Sequence, residues 1–180
     1  MKLVGGTAKG RKLRGPKKPG IRPASARVRK SLFSILGNLE HKTVLDLFAG
    51  TGSMGLEALS QGASEVTFVD QDPQAIQLIF HNLKKTGWLD QAYILKERAL
   101  PAILRLGRMG RVYDIIFVDP PYDQDLINPA LKKISQVSLL AENGVILCEH
   151  SPREKVTFLG GLKVADVRKY GQTLVTFLKK

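Results

Sequence analysis

A carboxylate, two rigid residues and an aromatic ring stand together in Asp119-Pro120-Pro121-Tyr122, directly after a short apolar run. The two prolines stiffen the backbone and remove two N–H donors, so the carbonyl groups that remain are acceptors. Asp119 and the Pro120 carbonyl can each accept one hydrogen of an exocyclic amine, while Tyr122 stacks on the ring that carries it. The motif therefore predicts a pocket for a planar base whose amino nitrogen reacts. Taken alone, it is equally compatible with a rigid strand-to-helix corner that has Tyr122 in the core.

A glycine-rich turn precedes this motif in the chain. Gly50, Gly52 and Gly55 form a G-x-G-x-x-G pattern between a predicted strand and a predicted helix, and such a turn lets the backbone approach a nucleotide-like ligand. Asp70 ends the next predicted strand, where a carboxylate can accept hydrogen bonds from both ribose hydroxyls. These residues suit NAD as well as S-adenosylmethionine, and a tight turn without a ligand is the third interpretation.

Asp46 favours one of the two cofactors. It lies at an apolar strand end just before the turn, and a buried carboxylate needs a partner. It would repel a pyrophosphate, whereas it attracts the ammonium group of a methionine moiety. Asp46 is also placed to accept hydrogen bonds from amides of the glycine loop, and the two roles are compatible. The sequence therefore predicts S-adenosylmethionine as cofactor and methyl transfer to an amino nitrogen as the reaction.

Positive charge is concentrated at the start of the chain. The net charge is +12, yet residues 1–30 hold eleven basic residues and no acidic one, while the rest carries 17 basic and 16 acidic residues. Such a segment suggests a polyanionic partner, with nucleic acid favoured over a basic tail that only aids solubility. The candidates for phosphate contacts are Lys9, Arg11, Lys12, Arg14, Arg22, Arg27 and Arg29.

Short apolar strands alternate with helices from residue 42 onward, which predicts a mostly parallel sheet covered on both faces. The strands are predicted at 43–48, 65–69, 92–96, 112–118 and 145–149, and the helices near 53–61, 73–86, 99–106 and 125–136. Two further strands, at 162–167 and 173–178, predict an antiparallel hairpin at the sheet edge. Before the sheet we expect a hairpin within 2–14, a loop at 15–23 and a helix over 26–36, capped by Ser25 and ended by Gly37.

Composition bounds the class of protein. A length of 180 residues suits one main domain with a real core, and we divide the chain into a basic extension at 1–37 for RNA contact and a catalytic domain at 38–180. We expect no membrane span, no secretory signal and a cytoplasmic location. Cys148 is the single cysteine and is predicted to be a packed thiol, and the three histidines show no metal-ligand spacing, so no metal is expected.

The chain as a whole resembles the bacterial RsmD family, the small-subunit (16S) rRNA guanine-N2 methyltransferases. Besides the motifs above, the resemblance includes the segments at 10–13, 22–23, 27–29, 32–36 and 169–173. It implies a Rossmann-like class I fold of seven strands, S-adenosylmethionine as donor, and a guanine of the assembled or assembling small subunit as substrate. Because no feature of the sequence demands a dimer, we expect a monomer. Ala26 and Lys30 stand where the family usually has acidic residues, which makes the segment more basic here.

The resemblance also implies roles by position. Asp46, Phe48, Gly50 and Gly52 would line the methionine end of the cofactor, Asp70 would hold the ribose, and Asp119 to Tyr122 would hold the guanine. The full set expected at the cofactor is Asp46, Phe48, Ala49, Gly50, Thr51, Gly52, Asp70, Gln71, Arg98 and Ala99. Arg98 and Ala99 are expected to meet the adenine through their backbone groups.

Three rival functions follow from the same residues. A DNA adenine-N6 methyltransferase would use the same Asp-Pro-Pro-Tyr loop, although no target-recognition domain is visible in the sequence. An NAD-dependent oxidoreductase is supported by the glycines alone. A non-catalytic RNA-binding module would need only the basic segment, and the intact Asp119-to-Tyr122 motif counts against it.

Overall fold

The parallel strands of a single sheet all have their carboxyl ends at the same edge, and in such sheets ligands bind beyond that edge. The computed structural model describes residues 1–15, 25–121, 124–157 and 160–180. Within them lie seven strands: β1 (Thr43–Asp46), β2 (Glu65–Asp70), β3 (Ala92–Lys96), β4 (Tyr113–Val118), β5 (Leu140–His150), β6 (Lys163–Tyr170) and β7 (Thr173–Lys179). Their order is β3-β2-β1-β4-β5-β7-β6, in which β1 to β5 pair in parallel and β7 is antiparallel to both neighbours. The predicted mostly parallel sheet with a C-terminal hairpin is confirmed.

Helices cover both faces of the sheet. They are α1 (Ala26–Leu36), α2 (Ser53–Ser60), α3 (Pro73–Thr86), α4 (Ala99–Arg108) and α5 (Ile127–Gln136), with a short 3₁₀ turn at Leu89–Gln91. Side-chain caps begin two of them, because Ser25 Oγ accepts from the Val28 amide at 3.2 Å and Asp72 Oδ1 accepts from the Gln74 amide at 2.8 Å. The predicted Ser25 cap and the end of α1 at Gly37 are confirmed. The 3₁₀ turn was not predicted.

The core divides into two layers because side chains alternate along each strand. On β4, Phe117 points into the layer that also contains residues of α1, α2 and α3, while Ile116 points into the layer of α4 and α5. Both layers are apolar, as a parallel sheet covered by helices requires. None of the helices in the described ranges is long and apolar enough to cross a membrane.

The N-terminal hairpin packs against the first of these layers. Lys2 and Lys12 form an antiparallel bridge, and the side chains of Leu3 and Leu13 are buried in the same cluster as α1 and α2. The predicted hairpin within 2–14 is therefore confirmed. The predicted loop at 15–23 lies, after Gly15, outside the described residues.

The largest boundary difference is in β5, which begins at Leu140 rather than at residue 145. Tyr113 pairs with Leu140 and Ile115 with Val145, so a register shift takes up the extra residues of β5. The polar stretch at 142–144 resembles a turn, and for that reason the sequence pattern places the start of the strand after it.

Candidate active site

A cleft of about 1120 Å³ opens at the carboxyl ends of the parallel strands. Residues at the ends of all five parallel strands line it, together with the N-terminus of α1 and the turn between β6 and β7. Nine of the ten residues expected at the cofactor border this cleft, all but Gly52, and so do Asp119, Pro120 and Pro121. Tyr122 lies outside the described residues. The fold thus brings the two sequence motifs into one cavity, as the strand-edge rule predicts.

The glycine turn needs its glycines for conformation and for space. Gly50 has φ 50° and Gly52 has φ 72°, values that side-chain-bearing residues rarely adopt. A Cβ at Gly52 would also lie 2.8 Å from Ile79 Cγ1. The turn passes directly from β1 to α2 and brings its backbone to the wall of the cleft.

Asp70 fixes this turn from the end of β2. Its Oδ2 accepts from the Gly50 amide at 2.7 Å, and its Oδ1 accepts from the Asp72 amide at 2.8 Å. An ionised carboxylate has about four acceptor sites, so these bonds hold the group in place and leave capacity for hydroxyl donors in the cleft. The side chain can therefore take ribose hydroxyls without rearranging.

Asp46 is a buried carboxylate with unused hydrogen-bonding capacity. It is 3% exposed, and among the described residues it accepts one hydrogen bond, from the Gly55 amide at 3.0 Å. Burial raises the pKa of Asp46 to about 7; the Gly55 bond opposes this rise and the negative charge of Asp70 adds to it. A bound cation would favour the ionised form, so the position suits an ammonium group.

Asp119 lies directly after β4 and faces the cleft. Burial raises its pKa well above the usual range, and the negative charges of Glu149 and then Asp46 raise it further. No described residue donates a hydrogen bond to its carboxylate, while the next residue, Pro120, is buried. Asp119 is thus a desolvated acceptor held by a rigid backbone, as an amine-binding group should be.

The end of β3 contributes a carboxylate that the sequence reasoning did not assign. Glu97 borders the cleft, and its Oε2 is enclosed without a hydrogen-bond partner among the described residues; Arg105 Nη1 lies 3.9 Å away. Arg98 is exposed, and Ala99 begins α4. Glu97 directly follows a predicted strand, and this position was the signal that could have identified it.

The charge of the cleft decides which ligands it can hold. Six carboxylates border it, against one cationic side chain among the described lining residues, Arg98. The acidic residues are Asp46, Asp70, Asp72, Glu97, Asp119 and Glu149. Such a lining repels a pyrophosphate and attracts a cation, so the residues fit a positively charged nucleoside such as S-adenosylmethionine better than NAD.

The rim on the far side comes from α1 and the β6–β7 turn. Ser25, which caps α1, and Val28 of α1 border the cleft, as do Tyr170 and Gln172 near the turn. A hydrogen bond of 2.8 Å between Ser31 Oγ and the Tyr170 hydroxyl joins the two elements. The sequence reasoning did not assign this rim, because the pairing of α1 with a hairpin so distant in the chain leaves no local pattern.

Basic residues of the N-terminal segment divide into exposed and buried ones. Of the residues predicted to contact RNA, those with exposed side chains are Lys9, Arg11, Lys12, Arg14 and Arg27. Arg22 lies outside the described residues. The prediction that Arg29 contacts RNA is wrong for this conformation, because Arg29 is 3% exposed and donates from Nη2 to the Lys2 carbonyl at 2.8 Å.

Arg29 instead pairs with Glu57, a fully buried residue of α2. The Nε to Oε2 distance is 3.8 Å, and Glu57 also accepts from the amides of Val4 at 3.0 Å and Gly5 at 2.6 Å. Burial lowers the pKa of Arg29, and the charge of Glu57 opposes that change. The pair is structural and ties the hairpin and α1 to α2. A lone glutamate in an otherwise apolar helix was the available signal.

Two residues of β5 have packing roles. His150 is 4% exposed and its Nε2 lies 2.9 Å from Thr176 Oγ1, while Cys148 is buried and burial raises the pKa of its thiol. In the described part of the chain, no group of three or more His, Cys, Asp or Glu residues is placed to hold a metal ion.

Comparison with known proteins adds a family to this geometry. The family profile described as Conserved hypothetical protein 95 matches residues 1–179. Ribosomal RNA small subunit methyltransferase D of Escherichia coli (strain K12) is 34% identical over 152 residues, which cover 83% of this chain and 74% of the relative. The Haemophilus influenzae protein of the same name is 32% identical over 151 residues, covering 83% and 78%.

Solved structures agree over the whole length. The Escherichia coli chain yhhF superposes with a TM-score of 0.89 at 28% identity, covering 100% of this chain and 97% of the other. The hypothetical protein TTHA0928 of Thermus thermophilus gives 0.84 at 26% identity, covering 100% and 99%. The chain belongs to the family described as Conserved hypothetical protein 95, the RsmD family.

Proposed function

We propose that the protein transfers a methyl group from S-adenosylmethionine to the exocyclic N2 of a guanine in small-subunit (16S) rRNA. The observation that carries this proposal is the acidic cleft beside a basic N-terminal segment. The cleft suits a cationic cofactor, and the basic segment suits a polyanion. Two relatives named ribosomal RNA small subunit methyltransferase D support an rRNA substrate, and a structure of SMU.776 complexed with S-adenosylhomocysteine shares the fold at 22% identity.

Each strand end would bind a different part of the cofactor. Asp46 would bind the ammonium group, Asp70 the ribose hydroxyls, and the loop at 48–52 would enclose the methionine chain. Gln71, Arg98 and Ala99 would border the nucleoside, and the enclosed Glu97 Oε2 would accept a hydrogen bond there. When bound, the cofactor would supply a methyl group that its sulfonium makes electrophilic, and S-adenosylhomocysteine would be the leaving group.

Asp119 and the Pro120 carbonyl would position the amine. Each accepts one N–H, which turns the nitrogen lone pair out of the ring plane and makes N2 more nucleophilic. Positioning of this kind can supply much of the rate of a bimolecular reaction. After the nitrogen gains a methyl group it carries an extra proton, and Asp119, whose pKa is raised, is placed to accept it. Tyr122 would stack on a guanine taken from a loop or flipped out of a helix.

The remaining assignments concern RNA and assembly. Exposed Lys9, Arg11, Lys12, Arg14 and Arg27, together with Arg22, would contact rRNA phosphates. We assign residues 1–37 to RNA contact and residues 38–180 to catalysis. We further propose a monomer that acts in the cytoplasm on the small subunit or on its assembly intermediate.

The test is methyl transfer from isotope-labelled S-adenosylmethionine to small subunits that lack the modification, followed by mass spectrometry of the nucleosides. Labelled N2-methylguanosine is the expected product. If the subunits stay unlabelled while the protein binds S-adenosylhomocysteine tightly, the rRNA assignment fails, and the same assay with duplex DNA then tests adenine N6.

A further inference from the structure

Glu149 has no role in the assignments above, yet it borders the same cleft. It is the second-to-last residue of β5, and β4 and β5 pair in parallel with Val118 opposite Cys148. Asp119 and Glu149 each follow these residues by one position, and they are therefore neighbours. After burial, the charge of Glu149 contributes most to the raised pKa of Asp119.

The strand order arranges the cleft carboxylates in a row. β2, β1, β4 and β5 are consecutive in the sheet, so their ends carry Asp70, Asp46, Asp119 and Glu149 in that order. Asp46 is in register with Phe117, and Phe117 with Leu147. Since parallel neighbours in register point to the same face, Asp46, Asp119 and Glu149 all lie on one face of the sheet. Glu149 stands at the end of the row farthest from the cofactor strand β2.

We propose that Glu149 determines base specificity by accepting the N1–H of the target guanine while Asp119 accepts an N2–H. This inference rests on the proposed function and names the group that distinguishes guanine from adenine. The Watson–Crick edge of guanine presents the N1–H and N2–H donors side by side, on two nitrogens joined through C2. Two neighbouring carboxylates that repel each other are complementary to that pair of donors.

Adenine would meet the opposite interaction at this position. Its amine can donate to Asp119, but its N1 is an acceptor whose lone pair faces the Glu149 carboxylate. An acceptor that faces another acceptor forms no hydrogen bond with it, which is how sites that hydrogen-bond a substrate N–H reject analogues that lack it. Glu149 would thus exclude adenine, although Asp119 and the Pro120 carbonyl fit either amine.

The test compares guanine with 2-aminopurine, which has the same amine but an acceptor at N1. After the methylated nucleotide is mapped, rRNA fragments carrying either base at that position are reconstituted into small subunits, and kcat/KM is measured for each. For the wild-type enzyme we expect a preference for guanine of about 10²–10⁴-fold. Glu149→Gln can donate from its amide to N1 of 2-aminopurine, so the preference should fall at least about tenfold.

Glu142→Gln is the matched control, because Glu142 lies on the same strand but is exposed and pairs with Lys180. It should keep the wild-type preference, and both variants should bind S-adenosylhomocysteine like the wild type in calorimetry. A Glu149→Gln enzyme with unchanged preference overturns the inference. Should that variant not fold, a wild-type enzyme that methylates 2-aminopurine as fast as guanine overturns it too. Failure of the proposed function looks different: the wild type then labels no guanine at all.

Discussion

Asp46 and Glu57 are both buried carboxylates on the same side of the sheet, and their surroundings differ. Glu57 accepts hydrogen bonds from Val4, Gly5 and Gln61 and faces the Arg29 guanidinium. Asp46 accepts one hydrogen bond from the described residues, at Gly55, and its pKa is raised to about 7. Asp46 bonds to the first half of α2, at Gly55, and Glu57 lies in the second half of the same helix.

The difference separates a structural acid from a ligand-binding one. A buried charge that the protein satisfies internally holds elements together, and its removal leaves the partner charge unpaired. A buried charge with spare capacity is destabilising until a ligand arrives, which is typical of binding sites. Asp119, with no described donor, belongs with Asp46. Four predictions test this division, from the largest expected effect to the smallest.

Asp119→Ala should lower the rate of methyl transfer about 10²–10⁴-fold. The variant lacks the group that accepts a hydrogen bond from the amine and that takes up the released proton. Binding of S-adenosylhomocysteine should stay nearly unchanged in calorimetry. Asp114→Ala is the control, at the other end of β4: Asp114 accepts from the Thr43 amide at 2.9 Å at the opposite edge of the sheet, so that variant should lose stability but not turnover. Wild-type turnover in Asp119→Ala would remove Asp119 from the active site.

Glu57→Ala should lower the free energy of unfolding by about 3–5 kcal/mol, because Arg29 keeps a buried charge without its partner. Denaturant titration measures the loss. Removing both partners in Arg29→Ala/Glu57→Ala should cost less than the sum of the single changes. Strict additivity would show that the pair does not interact.

Asp46→Asn should have the opposite effect on stability. A carboxyl whose pKa is raised from about 4 to about 7 on folding costs stability as pH rises through that window. The variant should therefore be more stable than the wild type at pH 8, by roughly 2–4 kcal/mol, with a much smaller gain at pH 5. Its affinity for S-adenosylhomocysteine should fall. A pH-independent change in Tm would contradict the raised pKa.

Arg27→Ala and Arg29→Ala form a matched pair on α1. Arg27 is exposed, so its removal should weaken binding to a 16S rRNA transcript a few-fold, reduce the slope of log K against log salt by about 1, and leave stability within about 0.5 kcal/mol. Arg29→Ala should destabilise the fold instead. Filter binding at several salt concentrations and thermal melts separate the two. Equal salt slopes for wild type and Arg27→Ala would place the RNA elsewhere.

Much of the fold is local information in this sequence. Apolar strand runs, the Ser25 cap and the Gly37 stop are set by neighbouring residues, and the structure places them as predicted. The meeting of Asp46, Asp70 and Asp119 at one edge also follows, because parallel strands carry their ends to the same side.

What could not be predicted depends on contacts between distant residues. Arg29 has the same charge and nearly the same position as Arg27, and only the docking of the hairpin on α2 buries it. The rim from α1 to Tyr170 likewise requires two elements at opposite ends of the chain to meet. Glu149 becomes informative only once the register of β4 and β5 puts it beside Asp119.

Cys148 is a built-in probe of local opening at this end of the sheet. The thiol is the single one in the chain, it is buried, and it directly precedes Glu149 on β5. A buried thiol reacts only when it becomes exposed and deprotonated. The rate at which a thiol reagent modifies Cys148 therefore reports how often the sheet opens beside the cleft. The native sequence therefore allows the breathing of this edge to be timed, with and without bound nucleoside or RNA.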